Sequence, residues 1–172
     1  MIDKLLGLDE LAERCRTLQG RGQRLVLTNG CFDLLHVGHV RYLRWARELG
    51  DRLIVALNSD GSVQALKGPG RPIVPEAQRA EVLASLRSVD YVTVFGESTA
   101  ERVVEKLRPD CYVKGGDYAP GRKKVPEARI VAAYGGSVIS LEFEPGEGTT
   151  AIIETILRRG RRGLLSLPAE AA

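Results

Sequence analysis

The chain has 172 residues, of which 44% are hydrophobic and 27% are charged. This composition is ordinary for a globular protein and excludes a disordered chain. One hydrophobic core is expected at this length, so we predict a single domain over residues 1–172. Its core is expected at about 8–157, followed by a flexible tail over 160–172.

The net charge of +3 arises at the C-terminal end of the chain. Residues 158–172 hold four arginines and a single glutamate, which leaves basic and acidic residues in balance over 1–157. A nucleic-acid-binding face needs clustered Lys and Arg, so no nucleic-acid partner is expected.

The cysteines and the hydropathy pattern predict a cytoplasmic protein. Cys15, Cys31 and Cys111 are widely spaced and form no CxxC pair, which favours a reducing compartment over a disulfide framework or a zinc site. No secretory signal opens the chain, and no apolar run approaches the roughly 18 residues of a membrane span. We therefore expect no membrane partner.

Helical patterns alternate with short apolar runs from the start of the chain. A helix over 9–18 precedes an apolar run over 25–28, which suits a strand buried on both faces. A helix over 38–49 and a strand over 53–57 follow. Residues 58–72 are rich in glycine and proline and are predicted to form a loop.

The same alternation continues to the C-terminal end. The remaining predicted elements are a helix over 75–87, a strand over 91–95, a helix over 99–107, a strand over 111–113, a helix over 125–134, a strand over 138–141 and a helix over 149–159. Five strands alternating with helices predict a Rossmann-like α/β fold, a three-layer sandwich with a five-stranded parallel sheet. Ligands bind beyond the carboxyl ends of the strands in such sheets, so we expect the functional residues there.

Both histidines of the chain lie in the tetrapeptide His36-Val37-Gly38-His39. This segment follows the first strand and opens a helix, so its spacing places two imidazoles on one side of a helix N-terminus. Unpaired N–H groups there attract anions, and Gly38 has no Cβ to keep a phosphate away. The pattern predicts a phosphate site, with packing histidines as the alternative. A metal site lacks a third ligand at a recognisable spacing.

The run TNGCFDLLHVGH over residues 28–39 resembles the signature of the nucleotidyltransferase superfamily with an HxGH motif, in its cytidylyltransferase-like branch. Further runs are similar to bacterial heptose-phosphate adenylyltransferases: Asn58-Ser59-Asp60, Leu66-Lys67-Gly68, Arg71-Pro72, Gln78-Arg79, Val113-Lys114-Gly115-Gly116-Asp117-Tyr118 and Phe143-Glu144. The resemblance extends over about residues 8–157. It looks like a free-standing form, because the sugar-kinase domain of bifunctional versions is missing.

The resemblance implies an enzyme, an adenylyltransferase that transfers AMP from ATP to a sugar 1-phosphate. The acceptor phosphate attacks the α-phosphorus directly and pyrophosphate leaves, without a covalent enzyme intermediate. The expected acceptor is a heptose 1-phosphate and the product an ADP-heptose for bacterial lipopolysaccharide. Mg²⁺ is expected on the triphosphate without a metal site built by the protein, and a homodimer is expected.

Carried over position by position, the resemblance assigns catalysis to His36, His39 and Lys67. Expected nucleotide contacts come from Cys31, Phe32, His36, His39, Lys114, Gly115, Gly116, Asp117, Thr149 and Thr150. Expected acceptor contacts come from Asp33, Lys67, Arg71 and Arg79. Structural alternatives accompany several of them, since Asp33 can cap its loop and Thr149-Thr150 can cap the last helix.

The sequence departs from the family pattern before the last helix. The family usually reads Ser-Thr-Thr followed by Asn or Lys, whereas this chain reads Gly148-Thr149-Thr150-Ala151. This departure leaves the base preference open. A cytidylyltransferase acting on glycerol 3-phosphate, an FMN adenylyltransferase and a catalytically silent nucleotide-binding module are the alternatives.

Overall fold

The computed structural model describes residues 3–115, 124–141 and 148–165. The strands are β1 Leu25–Gly30, β2 Arg52–Asn58, β3 Tyr91–Phe95, β4 Cys111–Gly115 and β5 Ser137–Leu141. The helices are α1 Leu8–Gly20, α2 Val37–Glu48, α3 Asp60–Lys67, α4 Glu76–Ser85, α5 Glu101–Leu107, α6 Ala128–Ala133 and α7 Thr149–Arg161.

The five strands form one parallel sheet in the order β3-β2-β1-β4-β5. In register, Val26 of β1 lies between Leu53 of β2 and Cys111 of β4. The chain winds outward from β1 first through β2 and β3, and then through β4 and β5 on the other side. The predicted five-stranded parallel sheet is confirmed, and its winding reverses between β1 and β4, where such sheets open a crevice for ligands.

Helices cover both faces of the sheet, because the strands are apolar on both sides. Leu25 and Leu27 of β1 pack in a cluster with α1, α5 and α6, whereas Val26 packs in a second cluster with α2 and α4. Successive side chains of a strand point to opposite faces, so one uninterrupted apolar run supplies both cores. The three-layer sandwich predicted from the sequence is confirmed.

Helix α3 corrects the prediction of a loop over 58–72. Ser59 caps this helix, its Oγ accepting a hydrogen bond from the Ser62 N–H, and Gly68 follows it with a φ of 99°. The Gly-Pro-rich composition concealed a short helix with an ordinary N-cap and a glycine at its end.

Helix α7 ends at Arg161 and includes the first two residues of the predicted tail. Arginines in its last turn favour this extension, because they interact well with the negative end of the helix dipole. Residues 166–172 lie outside the described residues. Within the described part of the chain, no helix has the length and apolarity needed to span a bilayer.

Candidate active site

A cavity of about 540 Å³ opens at the carboxyl ends of the strands. Its walls come from the segments that follow β1 to β4 and from the start of α7. Eleven predicted site residues line it: Cys31, Phe32, Asp33, His36, His39, Lys67, Arg71, Lys114, Gly115, Thr149 and Thr150. The folded chain therefore brings these predicted residues together in one crevice from four separate segments of the sequence.

His36 and His39 stand side by side at the start of α2, with ring centroids 3.9 Å apart and planes inclined by 39°. His36 is the N-cap residue of α2, and its imidazole makes no capping hydrogen bond. Both imidazoles line the same crevice, at the end of α2 where the first N–H groups have no partner within the helix. Donors arranged in this way suit an anion.

Burial lowers the pKa of His39 to about 4, with a further contribution from the nearby His36. His39 is consequently a neutral imidazole at neutral pH, with one donor and one acceptor nitrogen. The Nδ1 atoms of His36 and His39 are both buried and have no hydrogen-bond partner among the described residues. Buried polar atoms without partners are rare in folded proteins, and here two of them line one cavity.

The turn between β1 and α2 is shaped by Gly30 and Phe32. Phe32 has a φ of 44°, an uncommon conformation for a residue with a side chain. Its ring packs on Gly30 so closely that a Cβ at Gly30 would lie 3.0 Å from the ring, and its centroid is 5.3 Å from that of His39. The turn thus fixes one side of the His39 ring.

Asp33 joins this turn to the segment before α4. Its carboxylate accepts hydrogen bonds from Arg71 Nε at 2.5 Å and from the N–H groups of Ile73 and Val74 at 2.8 and 2.9 Å. Burial alone would raise the pKa of Asp33, but the bonds from Val74, Arg71 and Ile73 together hold it below its usual value. Both carboxylate oxygens are therefore occupied by the protein itself, although Asp33 lines the cavity.

The structure places Arg79 away from the cavity, which differs from the predicted acceptor contact. Its side chain is fully buried and donates to the carbonyl oxygens of Val74, Cys31 and Asn58 at 2.8, 2.5 and 3.0 Å. Its Nη2 also pairs with Asp60 at 2.7 Å. Arg79 thus ties together the loops after β1 and β2 and positions the cavity wall rather than lining it.

Lys67 is the last residue of α3, and its side chain is exposed at the cavity. No hydrogen bond or ion pair within the described structure holds its ammonium group. Burial raises the pKa of the Cys31 thiol, while the charges of Lys67, Arg79 and Arg71 oppose that rise. Lys67 therefore brings a positive charge close to the turn that follows β1.

Lys114 ends β4 next to the histidine-bearing turn, because β4 is the neighbour of β1. Its Nζ donates to Asn29 Oδ1 at 2.7 Å, and the Tyr112 hydroxyl donates to the same oxygen at 2.7 Å. Burial lowers the pKa of Lys114, and the carboxylate of Glu127 opposes that change. The lysine is thus held at the crevice between β1 and β4.

The N-terminus of α7 closes another side of the cavity. Gly148 is its N-cap residue, and Thr149 Oγ1 donates to the Leu34 carbonyl oxygen at 3.2 Å. This bond attaches α7 to the segment that leads into α2. Two helix N-termini therefore meet at one cavity, which concentrates positive potential there.

Five residues with polar side chains that the sequence analysis did not assign to the site line the cavity as well: Asn29, Asn58, Ser98, Thr99 and Glu127. Asn29 and Asn58 end apolar strands, so their amides were a signal that sequence reasoning could have used. Glu127 gave no such signal, because a glutamate near the start of a predicted helix is usually exposed. The predicted nucleotide residues Gly116 and Asp117 lie outside the described residues.

The strand order and the helix N-termini at its switch point are typical of nucleotide-binding α/β proteins. The model of the cytidylyltransferase-like family matches residues 27–142. The chain belongs to this family, which confirms the resemblance drawn from the HxGH signature.

Curated relatives and a solved structure are also similar to this chain. It is 53% identical over 153 residues to the bifunctional protein HldE of Geotalea uraniireducens, covering 89% of this chain and 31% of that protein. It is 51% identical over 156 residues to the bifunctional protein HldE of Pseudomonas aeruginosa, covering 91% of this chain and 32% of that protein. The chain thus spans about a third of the length of these curated relatives.

A lipopolysaccharide core biosynthesis protein from Thermoplasma volcanium is similar in structure, with a TM-score of 0.58 and 27% identity. The similar region covers 72% of this chain and 98% of that chain.

Proposed function

We propose that the protein transfers AMP from ATP to a sugar 1-phosphate, namely D-glycero-β-D-manno-heptose 1-phosphate, and releases pyrophosphate. The product is ADP-heptose. One observation carries the proposal: two adjacent imidazoles with unpartnered buried nitrogens stand at the start of α2, inside a cavity at the switch point of the sheet. Membership of the cytidylyltransferase-like family supports transfer of a nucleotidyl group, and similarity to a lipopolysaccharide core biosynthesis protein supports the sugar acceptor.

In this proposal the protein positions phosphates and stabilises charge, and its side chains form no covalent intermediate. His36 and His39 donate hydrogen bonds to the triphosphate, where negative charge grows as the bond to pyrophosphate breaks. Lys67 bridges the acceptor phosphate and the α-phosphate from its exposed position at the end of α3. The N–H groups of Thr149 and Thr150 and the hydroxyl of Thr150 hold the other side of the triphosphate.

Two predicted acceptor residues receive a different role in this proposal. Asp33 and Arg79 are positioning residues, because their polar groups are already occupied by the protein. Arg71 lines the cavity while its Nε pairs with Asp33, so its remaining guanidinium nitrogens supply the acceptor contact. Placing the two phosphates in line in this way lowers the barrier mainly through orientation.

Mg²⁺ fits this cavity as an ion carried by ATP. Two carboxylates line it. Asp33 is occupied by Arg71 and two N–H groups, whereas Glu127 accepts from the Ala100 N–H through one oxygen and has its charge balanced by the nearby Lys114. Within residues 3–115, 124–141 and 148–165, no group of three or more His, Cys, Asp or Glu suits a metal ion. Phosphate oxygens and water would therefore hold the ion, which neutralises charge on the triphosphate.

A panel of nucleotides and acceptors tests the proposal. Pyrophosphate release is measured with ATP, CTP, GTP and UTP, each combined with heptose 1-phosphate, glycerol 3-phosphate or FMN. We expect the highest kcat/KM for ATP with heptose 1-phosphate. Preference for CTP with glycerol 3-phosphate, or consumption of FMN, would replace this function with an alternative one. If no combination of nucleotide and acceptor released pyrophosphate, the chain would be a catalytically silent nucleotide-binding module.

Three further expectations stay predictions: a single domain, a homodimer and a cytoplasmic location. Analytical ultracentrifugation of the purified chain tests the homodimer, since a sedimenting species of one chain would contradict it.

A further inference from the structure

Glu127 carries a polar atom that the proposed mechanism does not use. Five buried side-chain nitrogen or oxygen atoms lack a hydrogen-bond partner in the described part of the chain, and three belong to cavity residues: His36 Nδ1, His39 Nδ1 and Glu127 Oε2. The two imidazoles are explained by a bound triphosphate. A buried carboxylate oxygen without a donor is costly, so Glu127 needs an explanation of its own.

The protein holds the carboxylate of Glu127 in one orientation. The side chain is 2% exposed, and its Oε1 accepts a hydrogen bond from the Ala100 N–H at 3.0 Å. Oε2 lies 3.6 Å from Lys114 Nζ, which is close enough for an ion pair but too long for a hydrogen bond. Lys114 Nζ donates to Asn29 at 2.7 Å instead. The ammonium group thus balances the charge of Glu127, while Oε2 has no hydrogen-bond partner within the described part of the chain.

Glu127 also lies on the other side of the sheet edge from the histidines. It is the N-cap residue of α6, which packs with α5 on one face of the sheet, whereas His36 and His39 begin α2 on the opposite face. The cavity therefore has a cationic side and a side that bears a carboxylate. A carboxylate repels phosphate and accepts hydrogen bonds from hydroxyl groups.

We propose that Glu127 Oε2 accepts a hydrogen bond from a sugar hydroxyl of a bound substrate and is a specificity-determining residue. The inference rests on the proposed function, which brings two sugars into the cavity, the ribose of ATP and the sugar of the acceptor. The shared chemistry is a hydroxyl donor meeting a fixed, charged acceptor, and such a bond is stronger than one between neutral groups.

The experiment compares wild type with Glu127→Gln by calorimetry and steady-state kinetics. The glutamine keeps an oxygen for the Ala100 N–H and places an amide donor at the position of Oε2. Calorimetry measures the affinities for ATP, 2′-deoxy-ATP, 3′-deoxy-ATP and inorganic triphosphate. Steady-state kinetics measures the KM for heptose 1-phosphate. Glu105→Gln is the matched control, because Glu105 is an exposed glutamate on α5 and does not line the cavity.

We expect Glu127→Gln to weaken the binding of one of the two sugar-bearing substrates about tenfold, because a hydrogen bond to a charged acceptor is lost. The affinity for inorganic triphosphate should not change. If the ribose supplies the hydroxyl, one deoxy nucleotide binds wild type about tenfold more weakly than ATP, and the variant no longer distinguishes the two. If the acceptor supplies it, the KM for heptose 1-phosphate rises and the affinity for ATP does not change.

Two results would overturn the inference. One is unchanged affinity for both sugars in Glu127→Gln. The other is an equal loss for inorganic triphosphate, which has no hydroxyl group and would reveal a structural role for Glu127. Absence of transfer to heptose 1-phosphate by wild type would refute the proposed function separately. The nucleotide measurements do not depend on turnover, because they record binding alone.

Discussion

The guanidinium of Arg79 makes four hydrogen bonds behind the cavity wall. It donates to three carbonyl oxygens and to Asp60, and it is fully buried. One planar fork with five donors on three nitrogens can reach four acceptors on separate segments, whereas an ammonium group has three donors on a single atom. Arg79 therefore fixes the relative positions of the loops after β1 and β2.

Replacing Arg79 with alanine should lower the free energy of unfolding by about 3 kcal/mol or more, since it leaves buried acceptors unpaired. Arg79→Lys should recover only part of that loss. Urea unfolding measures both. The control is Arg102→Ala, whose pair with Glu97 is 67% and 40% exposed and should cost less than about 1 kcal/mol. Equal losses for the two alanine variants would refute the positioning role of Arg79.

The lowered pKa of His39 makes stability depend on pH. The pKa is about 4 in the folded chain and 6.5 for an ordinary histidine. Between these values the unfolded chain binds a proton that the folded chain does not bind. The free energy of unfolding contributed by this group is therefore complete above pH 6.5 and falls as the pH drops toward 4.

His39→Asn should remove this dependence. Between pH 7 and pH 5 the wild type should lose more stability than the variant, by an amount on the order of 1 kcal/mol. Urea unfolding at the two pH values measures the difference, and other titrating groups cancel in the comparison. An identical loss in both proteins would show that His39 is not buried as a neutral imidazole.

At the scale of single elements, α3 is the helix that places Lys67 at the cavity. Its ends are set by Ser59, which caps it, and by Gly68, whose φ of 99° turns the chain away. Glycine adopts this conformation without steric cost, whereas a Cβ opposes it. The end of α3 directly after Lys67 thus depends on the backbone conformation of Gly68.

Two alanine substitutions test the effect of backbone conformation without steric clashes, because a Cβ at either Gly61 or Gly68 meets no atom within 4 Å. Gly68→Ala should destabilise the protein by about 1–3 kcal/mol, because its φ of 99° with a ψ of 172° is a conformation that is essentially confined to glycine. Gly61→Ala, inside α3, should stabilise it by up to about 1 kcal/mol. Thermal unfolding followed by circular dichroism measures both signs. Stabilisation by Gly68→Ala would contradict the left-handed turn at the end of α3.

For the whole molecule, the sequence predicted the architecture because each strand is a short apolar run between helical patterns. It also predicted the position of the cavity, since the HxGH run follows the first strand. The predicted strands β1 and β4 ended two residues too early, because the last residues of the observed strands are polar or small: Asn29, Gly30, Lys114 and Gly115. All four of these residues line the cavity, and a hydropathy pattern does not distinguish such strand ends from the start of a loop.

The partners of individual side chains were beyond the reach of the sequence. Asp33 and Arg79 were predicted to touch substrate, whereas three-dimensional packing surrounds both with groups of the protein. Glu127 was missed for the converse reason, since only tertiary structure buries it beside Lys114. Residue type and spacing locate a site, but the allocation of hydrogen bonds within it depends on contacts between distant segments.

In the proposed function, the paired imidazoles at the start of α2 stabilise the phosphates during transfer. The measurement is pyrophosphate release from ATP and heptose 1-phosphate by His36→Ala and His39→Ala, with melting temperatures recorded beside the rates. Val40→Ala is the control, because Val40 is on the same helix and 41% exposed. We predict that each histidine variant loses about 10²–10³-fold in kcat while Val40→Ala keeps the wild-type rate. Near-normal release by both histidine variants would contradict the account.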